Sequence, residues 1–484
     1  MKEVGDRFGS GELILPFVLK SAEVMRAAVG HLEHYLDRVE GTSRGTVVLA
    51  TVFGDVHDIG KNLVKTVLVN NGYTVHDLGK QVPVEAVIDK AVEVHADAIG
   101  LSALLVATSQ QMKLAVESLQ RRGLAIPVLI GGAAINPSFA QRIALDAEGR
   151  PYAGGVHYCK DAFAALTVLG ELGRRPQPET SGSSTAIPAQ LVPETDLEPD
   201  SSDGAFYACS CCTSASLSPA PAAQIPVPPF WGVRHLPEIA LETLWPFLDR
   251  KSLFRVSWGV RGATGERWET LQAEMETRLA AMWPDAGTYL KPQAVYGYFP
   301  AQSEGNDLVI YDPAAPADLR EIARFSFPRQ PKGLGLCLAD YFAPVGGAVP
   351  DVAAFQVVTV GAQAAEQFGA LDEAGAYSEA YFVHGLASQV TEAAAEWVHH
   401  HIREELGLPP EQGKRYSWGY PACPDLEGHR ILFTLLPAEA LLGMGLSSAA
   451  QLIPEHSTAA LVVHHPAARY FSVTFLEAQK LPGR

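Results

Sequence analysis

Long apolar runs are missing. No stretch of the chain reaches about 18 consecutive apolar residues, the length a membrane-spanning helix needs. The opening residues, MKEVGDRFGSGEL, lack the apolar core of a secretory signal. Cysteine is scarce: there are 6 in 484 residues, and three of them crowd together at Cys209, Cys211 and Cys212. That is no disulfide framework, and it points to a reducing cytoplasm. Positive charge is in deficit, with 37 Lys+Arg against 54 Asp+Glu and a formal net charge of −17. Phosphate binding needs a local excess of Lys and Arg, so a nucleic-acid partner is excluded. No repeat recurs at a fixed period. Extracellular, membrane and chromatin roles are set aside together. What remains is ordinary globular composition, 47% hydrophobic and 19% charged, enough for more than one core. At roughly 100–200 residues per domain, the length implies two to four domains.

The pattern along the chain divides it into four segments. Leu15, Leu19, Ala22, Met25, Val29, Leu32 and Leu36 recur in steps of three and four and predict one amphipathic helix over about 13–39. Such a helix must bury its stripe against something, and the next domain is the candidate. From Gly45 to Leu172 apolar strands alternate with helical stretches. The strands are expected at Val47–Val52, Thr74–Leu78, Ala98–Leu101, Pro127–Ile130 and near Tyr152. The helices are expected at Lys61–Asn70, Val84–His95, Thr108–Arg122, Ser138–Leu145 and Lys160–Leu172. That alternation predicts a doubly wound parallel sheet, with ligands beyond the carboxyl ends of its strands. Residues 173–229 are rich in Pro, Ser, Thr, Glu and Ala and read as a flexible linker. From 230 to 484 a mixed α+β domain follows. Its helices are expected at Trp268–Met282, Asp351–Glu366 and Ser378–Glu405, and its strands at Ala294–Pro300, Asp307–Asp312 and Ala459–Val463.

Three short strings carry the chemistry of the first half. Asp55-Val56-His57-Asp58-Ile59-Gly60 follows the first strand and opens the first helix. After Gly60, 41 residues precede Ser102-Ala103-Leu104, and 26 separate Leu104 from Gly131-Gly132. These segments end strands one, three and four, so all three point at one crevice. In the second half, Arg415-Tyr416-Ser417-Trp418-Gly419-Tyr420-Pro421-Ala422-Cys423-Pro424-Asp425 reads as a rigid irregular loop, neither helix nor strand. An Arg on such a loop suits carboxylate recognition through its planar fork. Cys209-Ser210-Cys211-Cys212 lacks the spacing of a zinc site, and zinc is not expected. His399-His400-His401 are adjacent on a helix, so their side chains fan apart.

The D-x-H-x-x-G, S-x-L and G-G strings, in residues and spacing, resemble the cobalamin-binding domain of methionine synthase and related corrinoid enzymes. The R-x-x-x-G-Y-P-A-C-P string resembles the S-adenosylmethionine-binding activation domain of the same family. With Leu338-Ala339-Asp340-Tyr341-Phe342 and Glu392, that second likeness runs from about Trp231 to Val473. Phe8 and Leu15 look like residues of the helical cap that precedes the cobalamin domain. The resemblance implies a partial cap over 1–42, a five-stranded Rossmann-like cobalamin domain over 43–172, the linker, and an activation domain over 230–484.

The roles follow from the resemblance, residue by residue. His57 ligates cobalt in place of the cofactor's own base. Asp55 accepts the proton of its other ring nitrogen and Thr108 continues the relay, as outer partners of a metal-bound imidazole do. Gly60, Gly131 and Gly132 admit the nucleotide tail, with Ser102 and Leu104 beside it. Phe8 and Leu15 shield the methyl group. Arg415 holds the methionyl carboxylate of S-adenosylmethionine. Gly419, Tyr420, Pro421 and Ala422 line its adenosine and sulfonium region, and Asp249, Glu392 and Tyr470 complete the site. The implied cofactors are cobalamin, as methylcobalamin, and S-adenosylmethionine as methyl donor. The implied partners are modules that bind homocysteine and methyltetrahydrofolate, absent from this sequence, and a flavodoxin-like or other electron donor. The implied function is to carry the methyl group and to support reductive remethylation of cob(II)alamin. Alone, the chain is expected to support reactivation and not methionine synthesis. The alternative is a corrinoid carrier serving separate methyltransferases, which has no use for the Arg415 loop. A carbon-skeleton mutase subunit ranks last, having no use for the second domain.

Overall fold

The computed structural model describes residues 4, 7, 13–32, 43–172 apart from 105, 133–134 and 147–148, then 222 and 224–473 apart from 261–262, 332 and 348. Phe8, Cys209, Cys211, Cys212 and most of the expected linker lie outside these residues. The opening helix is described over Leu15–Leu32 (α1). It buries Val18, Leu19 and Ala22, whereas Met25 of the expected stripe is exposed.

The first domain is the expected doubly wound sheet. Its strands are Thr46–Thr51 (β1), Thr74–Asp77 (β2), Ala98–Ser102 (β3), Val128–Gly131 (β4) and Val156–Tyr158 (β5). All pair in parallel in the order β2-β1-β3-β4-β5. β1 reads TVVLAT and is buried on both faces, as a central parallel strand must be. Helices Ile59–Asn70 (α2) and Ala162–Leu172 (α6) cover one face, with Leu68, Ala165 and Leu169 in its core. Helices Val84–Glu93 (α3), Val106–Arg121 (α4) and Pro137–Ile143 (α5) cover the other, with Ile88, Met112 and Phe139. The strand expected near Tyr152 lies further on. Gly155 turns the chain at φ +78, and the Tyr152 hydroxyl donates to the Ile126 carbonyl at 2.7 Å, so the fifth strand begins only at Val156.

In the second domain the antiparallel order is β11-β14-β10-β7-β8-β9, with β6 also on β7. The strands are Gly232–Leu236 (β6), Gln293–Glu304 (β7), Asp307–Tyr311 (β8), Glu321–Ser326 (β9), Asp351–Thr359 (β10), Lys414–Ser417 (β11), Gly445–Leu446 (β12), Leu452–Ile453 (β13) and Ser457–Val463 (β14). Helices Gly265–Ala286 (α7) and Tyr377–Glu405 (α9) cover one face, with Leu279, Leu386 and Val390 in its core. The other face packs Phe299, Phe355, Trp418 and Leu432. The helix expected at Asp351–Glu366 is a strand followed by helix Gln363–Glu373 (α8). The run DVAAFQVVT is buried at every position, and a central strand with both faces covered carries no alternation to betray it. Arg415–Ser417 is likewise strand and not loop, because β11 pairs with β14.

The two domains touch at the carboxyl edge of the parallel sheet. The Val56 amide donates to Gln451 Oε1 at 2.8 Å, and the Ser447 hydroxyl donates to the Gly54 carbonyl at 3.2 Å. Among the described residues, no helix is long and apolar enough to cross a membrane.

Gly132 shows how tightly the crevice is built. It adopts φ +130, and a Cβ there would lie 1.9 Å from the Ala103 carbonyl oxygen. Gly132→Ala is therefore expected to destabilise the first domain by about 1–3 kcal/mol or more, read as a lower denaturation midpoint of that domain.

Candidate functional site

The loop after β1 sits beside the carboxyl end of β3, where the strand order reverses and an α/β sheet opens a crevice. Asp55 lies there with no exposed surface. One carboxylate oxygen accepts from the His57 amide at 3.0 Å and faces the His57 Nδ1 at 2.8 Å. The other accepts from the Leu104 amide at 2.8 Å and the Thr108 hydroxyl at 2.7 Å. One buried anion thus joins the D-x-H string to the S-x-L string. Burial works against its charge, but hydrogen bonds from His57 and Thr108 outweigh that and hold Asp55 at about 2. Burial also disfavours the charged form of His57. The hydrogen bond to Asp55 and the charges of Glu455 and Asp55 overcome it and raise the imidazole.

Two cavities meet at this crevice. One, of about 680 Å³, runs into the sheet and is lined by Leu15, Leu49, Gly60, Ser102, Gly131 and Gly132. The second, of about 480 Å³, lies between the domains and is lined by His57, Ser102, Leu104, Glu392, Glu455 and His456 among others. Gly60 borders both, has ordinary backbone geometry, and a Cβ there would meet nothing within 4 Å. Gly60 is exposed, so the space beside it is open.

Across the second cavity, Glu392 on α9 receives Arg415 Nη2 at 2.9 Å. Arg415 Nη1 is buried and has no partner. The guanidinium thus has one prong held by a carboxylate and one without a partner. The chain beyond β11 forms a hydrogen-bonded turn. Gly419 turns at φ +86 and its amide donates to the Cys423 carbonyl at 2.9 Å. Cys423 is buried, its thiol pushed up to about 12 by that burial, so it is a packing residue and no nucleophile. Ala422 is buried, while Tyr420 and Tyr470 are exposed, and Tyr470 meets Tyr416 edge to face. Asp249 is not among the residues lining either cavity. Its carboxylate accepts the Ser252 amide at 2.9 Å and the Ser252 hydroxyl at 2.6 Å, capping a short turn. Asp340 of the Leu338–Phe342 string takes a two-pronged contact from Arg329, at 2.6 and 2.7 Å, and is structural.

Sequence reasoning missed three groups at the second cavity. His456 Nε2 and His384 Nδ1 lie 2.9 Å apart, joining residues 72 positions apart in the chain. Burial, and then nearby imidazoles, lower His384 to about 3 and His456 to about 4, so the pair is neutral. Burial pushes the Glu455 carboxyl up to about 7. No spacing signal marks these residues, because two different elements bring them together. His399, His400 and His401 go separately to Glu396, Glu404 and Glu405. No group of three or more metal-capable side chains occurs among the described residues.

Comparison with known proteins agrees with both halves. Residues 240–482 match the model of the vitamin B12 dependent methionine synthase activation domain, and residues 45–166 and 1–33 match two B12 binding domain models. Methionine synthase of Mycobacterium leprae is 38% identical over 522 residues, covering 98% of this chain and 43% of the relative. Methionine synthase of Mycobacterium tuberculosis is 39% identical over 519 residues, with the same coverage of 98% and 43%. The chain therefore spans less than half the length of these curated relatives. A crystal structure of the MetH reactivation domain bound to AdoHcy aligns at TM-score 0.47 and 26% identity, over 54% of this chain and 86% of that one.

The Asp55–His57 pair has a definite proton signature. A raised His57 pKa contributes stability that is complete below the ordinary histidine value and is lost as pH rises through the raised value. Asp55 contributes in the opposite sense, its share being present above the ordinary aspartate range and lost as pH falls toward 2. In Asp55→Asn the His57 titration midpoint should fall, and the neutral-pH part of the stability slope should shrink. Nuclear magnetic resonance titration of the His57 ring protons, with and without the substitution, checks this.

Proposed function

Because the chain belongs to the vitamin B12 dependent methionine synthase activation-domain family, we propose that it carries cobalamin on its first domain and reactivates that cofactor with S-adenosylmethionine on its second. The observation that carries this reading is one cavity between the domains. His57 lines one wall and Glu392, holding Arg415, lines the other. A corrinoid carrier alone needs neither Arg415 nor the second sheet. We assign residues 43–172 to cobalamin and 230–484 to activation.

The residues present fit these ligands. The two cavities share Gly60, Ser102 and Gly132, which suits a bulky group spanning both, and the unpaired Arg415 Nη1 suits a carboxylate. When bound, cobalamin supplies a cobalt centre that accepts and gives up a methyl group. His57 must be neutral at its ligating atom, and Asp55 already engages Nδ1, which leaves Nε2 for cobalt. Asp55 fixes that tautomer, and the Thr108 hydroxyl and Leu104 amide hold Asp55 in place. Gly131, Gly132 and Ser102 border the deeper cavity, which would take the nucleotide tail; Leu15, proposed with Phe8 to shield the methyl group, lines the same cavity. Arg415 orients the methionyl carboxylate and Glu392 keeps the guanidinium aimed. Asp249 and Tyr470 complete the S-adenosylmethionine site, together with Gly419, Tyr420, Pro421 and Ala422.

The wider reaction is methyl transfer from methyltetrahydrofolate to homocysteine in the cytoplasm. Modules outside this chain hold those substrates, and a flavodoxin-like or other electron donor supplies the reactivating electron.

Two measurements test the reading. Bound cob(II)alamin should show nitrogen hyperfine structure in electron paramagnetic resonance, and His57→Ala should abolish it; identical spectra would refute His57 as ligand. Arg415→Ala should weaken S-adenosylmethionine binding by roughly 10- to 150-fold in calorimetry, the equivalent of one charge-assisted pair at about 1.5–3 kcal/mol. Arg415→Lys should recover only part, because charge returns without the fork. Cobalamin affinity should be the same in both.

A further inference from the structure

Helix α1 is not confined to the first domain. It packs on α2 of that domain and also along α9 of the second. Ile14, just before α1, is 4% exposed and belongs to the second domain's apolar core with Trp258, Phe382 and Leu386. Leu15 approaches Gly259 so closely that a Cβ on that glycine would lie 3.6 Å from the Leu15 Cβ.

The polar contact is more specific. α9 has 29 residues, and its N-cap residue Ala376 offers no side-chain acceptor to the first turn. The unpaired amides of a helix start must find an acceptor elsewhere. The acceptor is Glu23 of α1. Its Oε1 takes the Ser378 amide at 2.8 Å and the Ser378 hydroxyl at 2.7 Å. Glu23 is itself steadied by Lys20 at 2.8 Å, and Ser378 is 5% exposed. A carboxylate at a helix N-terminus also meets the positive end of the helix dipole.

We propose that α1 is an interaction surface for the second domain, with Glu23 serving as the N-terminal cap of α9 from another module, and that this contact holds the two domains together at the shared cavity. The surface fits one partner, the uncapped start of a long helix flanked by apolar side chains. Because α1 also places Leu15 at the deeper cavity, releasing the contact changes what borders that cavity. The inference does not depend on the ligands assigned above, since every group in it belongs to this chain.

Amide hydrogen exchange on the full chain without cobalamin tests it. The Val56 amide is a remote reporter, because its acceptor is Gln451 of the second domain. In Glu23→Ala the Val56 amide should exchange roughly tenfold faster, the equivalent of losing one cap. Ser378→Ala should act alike, and the double substitution should add little to either, because both remove one contact. Glu23→Gln keeps a carbonyl acceptor and should have a smaller effect. Gln451→Ala sets the upper limit. Loss of protection at Ser378 with no change at Val56 would make Glu23 a local cap and overturn the proposal. Additive effects of the two alanine substitutions would overturn it too. So would equal acceleration of the β3 amides Ala98–Ser102, which would mean general unfolding, or a Val56 amide indifferent to Gln451→Ala, which would mean no docked arrangement to hold.

Discussion

A fully buried carboxylate has to be satisfied on every side, and Asp55 meets that demand by gathering groups from three places. It holds the His57 ring and amide, the Leu104 amide at the end of β3, and the Thr108 hydroxyl at the start of α4. An unpaired charge in that position would cost several kcal/mol, so the loops have little freedom to move apart. The orientation of His57 follows from this, and with it which ring nitrogen the carboxylate engages. The close approach of Gly132 to Ala103 belongs to the same constraint, since the loop that carries Leu104 can only lie where no side chain intervenes.

The second domain treats charge in a different manner. Arg415 is on a strand and Glu392 on a helix, and their pairing is only half of what a guanidinium can make. The pair is poised, whereas the Asp55 network is complete. Facing them, His384 and His456 are held neutral by burial. Glu455 is the one cavity carboxylate whose burial brings it into the neutral range. The interdomain cavity thus has one raised imidazole on the first domain, and on the second a neutral histidine pair beside Glu455 and the Glu392–Arg415 ion pair.

Both domains meet at a shared edge, yet each is stabilised by its own cores. The hydrogen bonds between them at that edge run from the Val56 amide to Gln451 and from the Ser447 hydroxyl to the Gly54 carbonyl. Helix α1 is the exception, because it buries apolar surface on the second domain while leading directly into the first.

The strand–helix alternation, the crevice at the ends of β1 and β3, and the strings around His57 and Arg415 all followed from the sequence alone. Each is a local property, set by hydrophobic period or by residues a few positions apart. β10 did not follow, because a strand buried on both faces has no alternation and DVAAFQVVT reads equally as helix. β11 did not follow either, since its partner β14 lies far along the chain and only pairing makes Arg415–Ser417 extended. The turn that Asp249 caps is local by contrast, since its acceptor role reaches only to Ser252, three residues on. Tertiary structure alone assembled His384, Glu455 and His456 at one wall and joined Glu23 to Ser378, 355 residues away. Such contacts arise where separate elements are brought together by packing, and no spacing in a sequence encodes them.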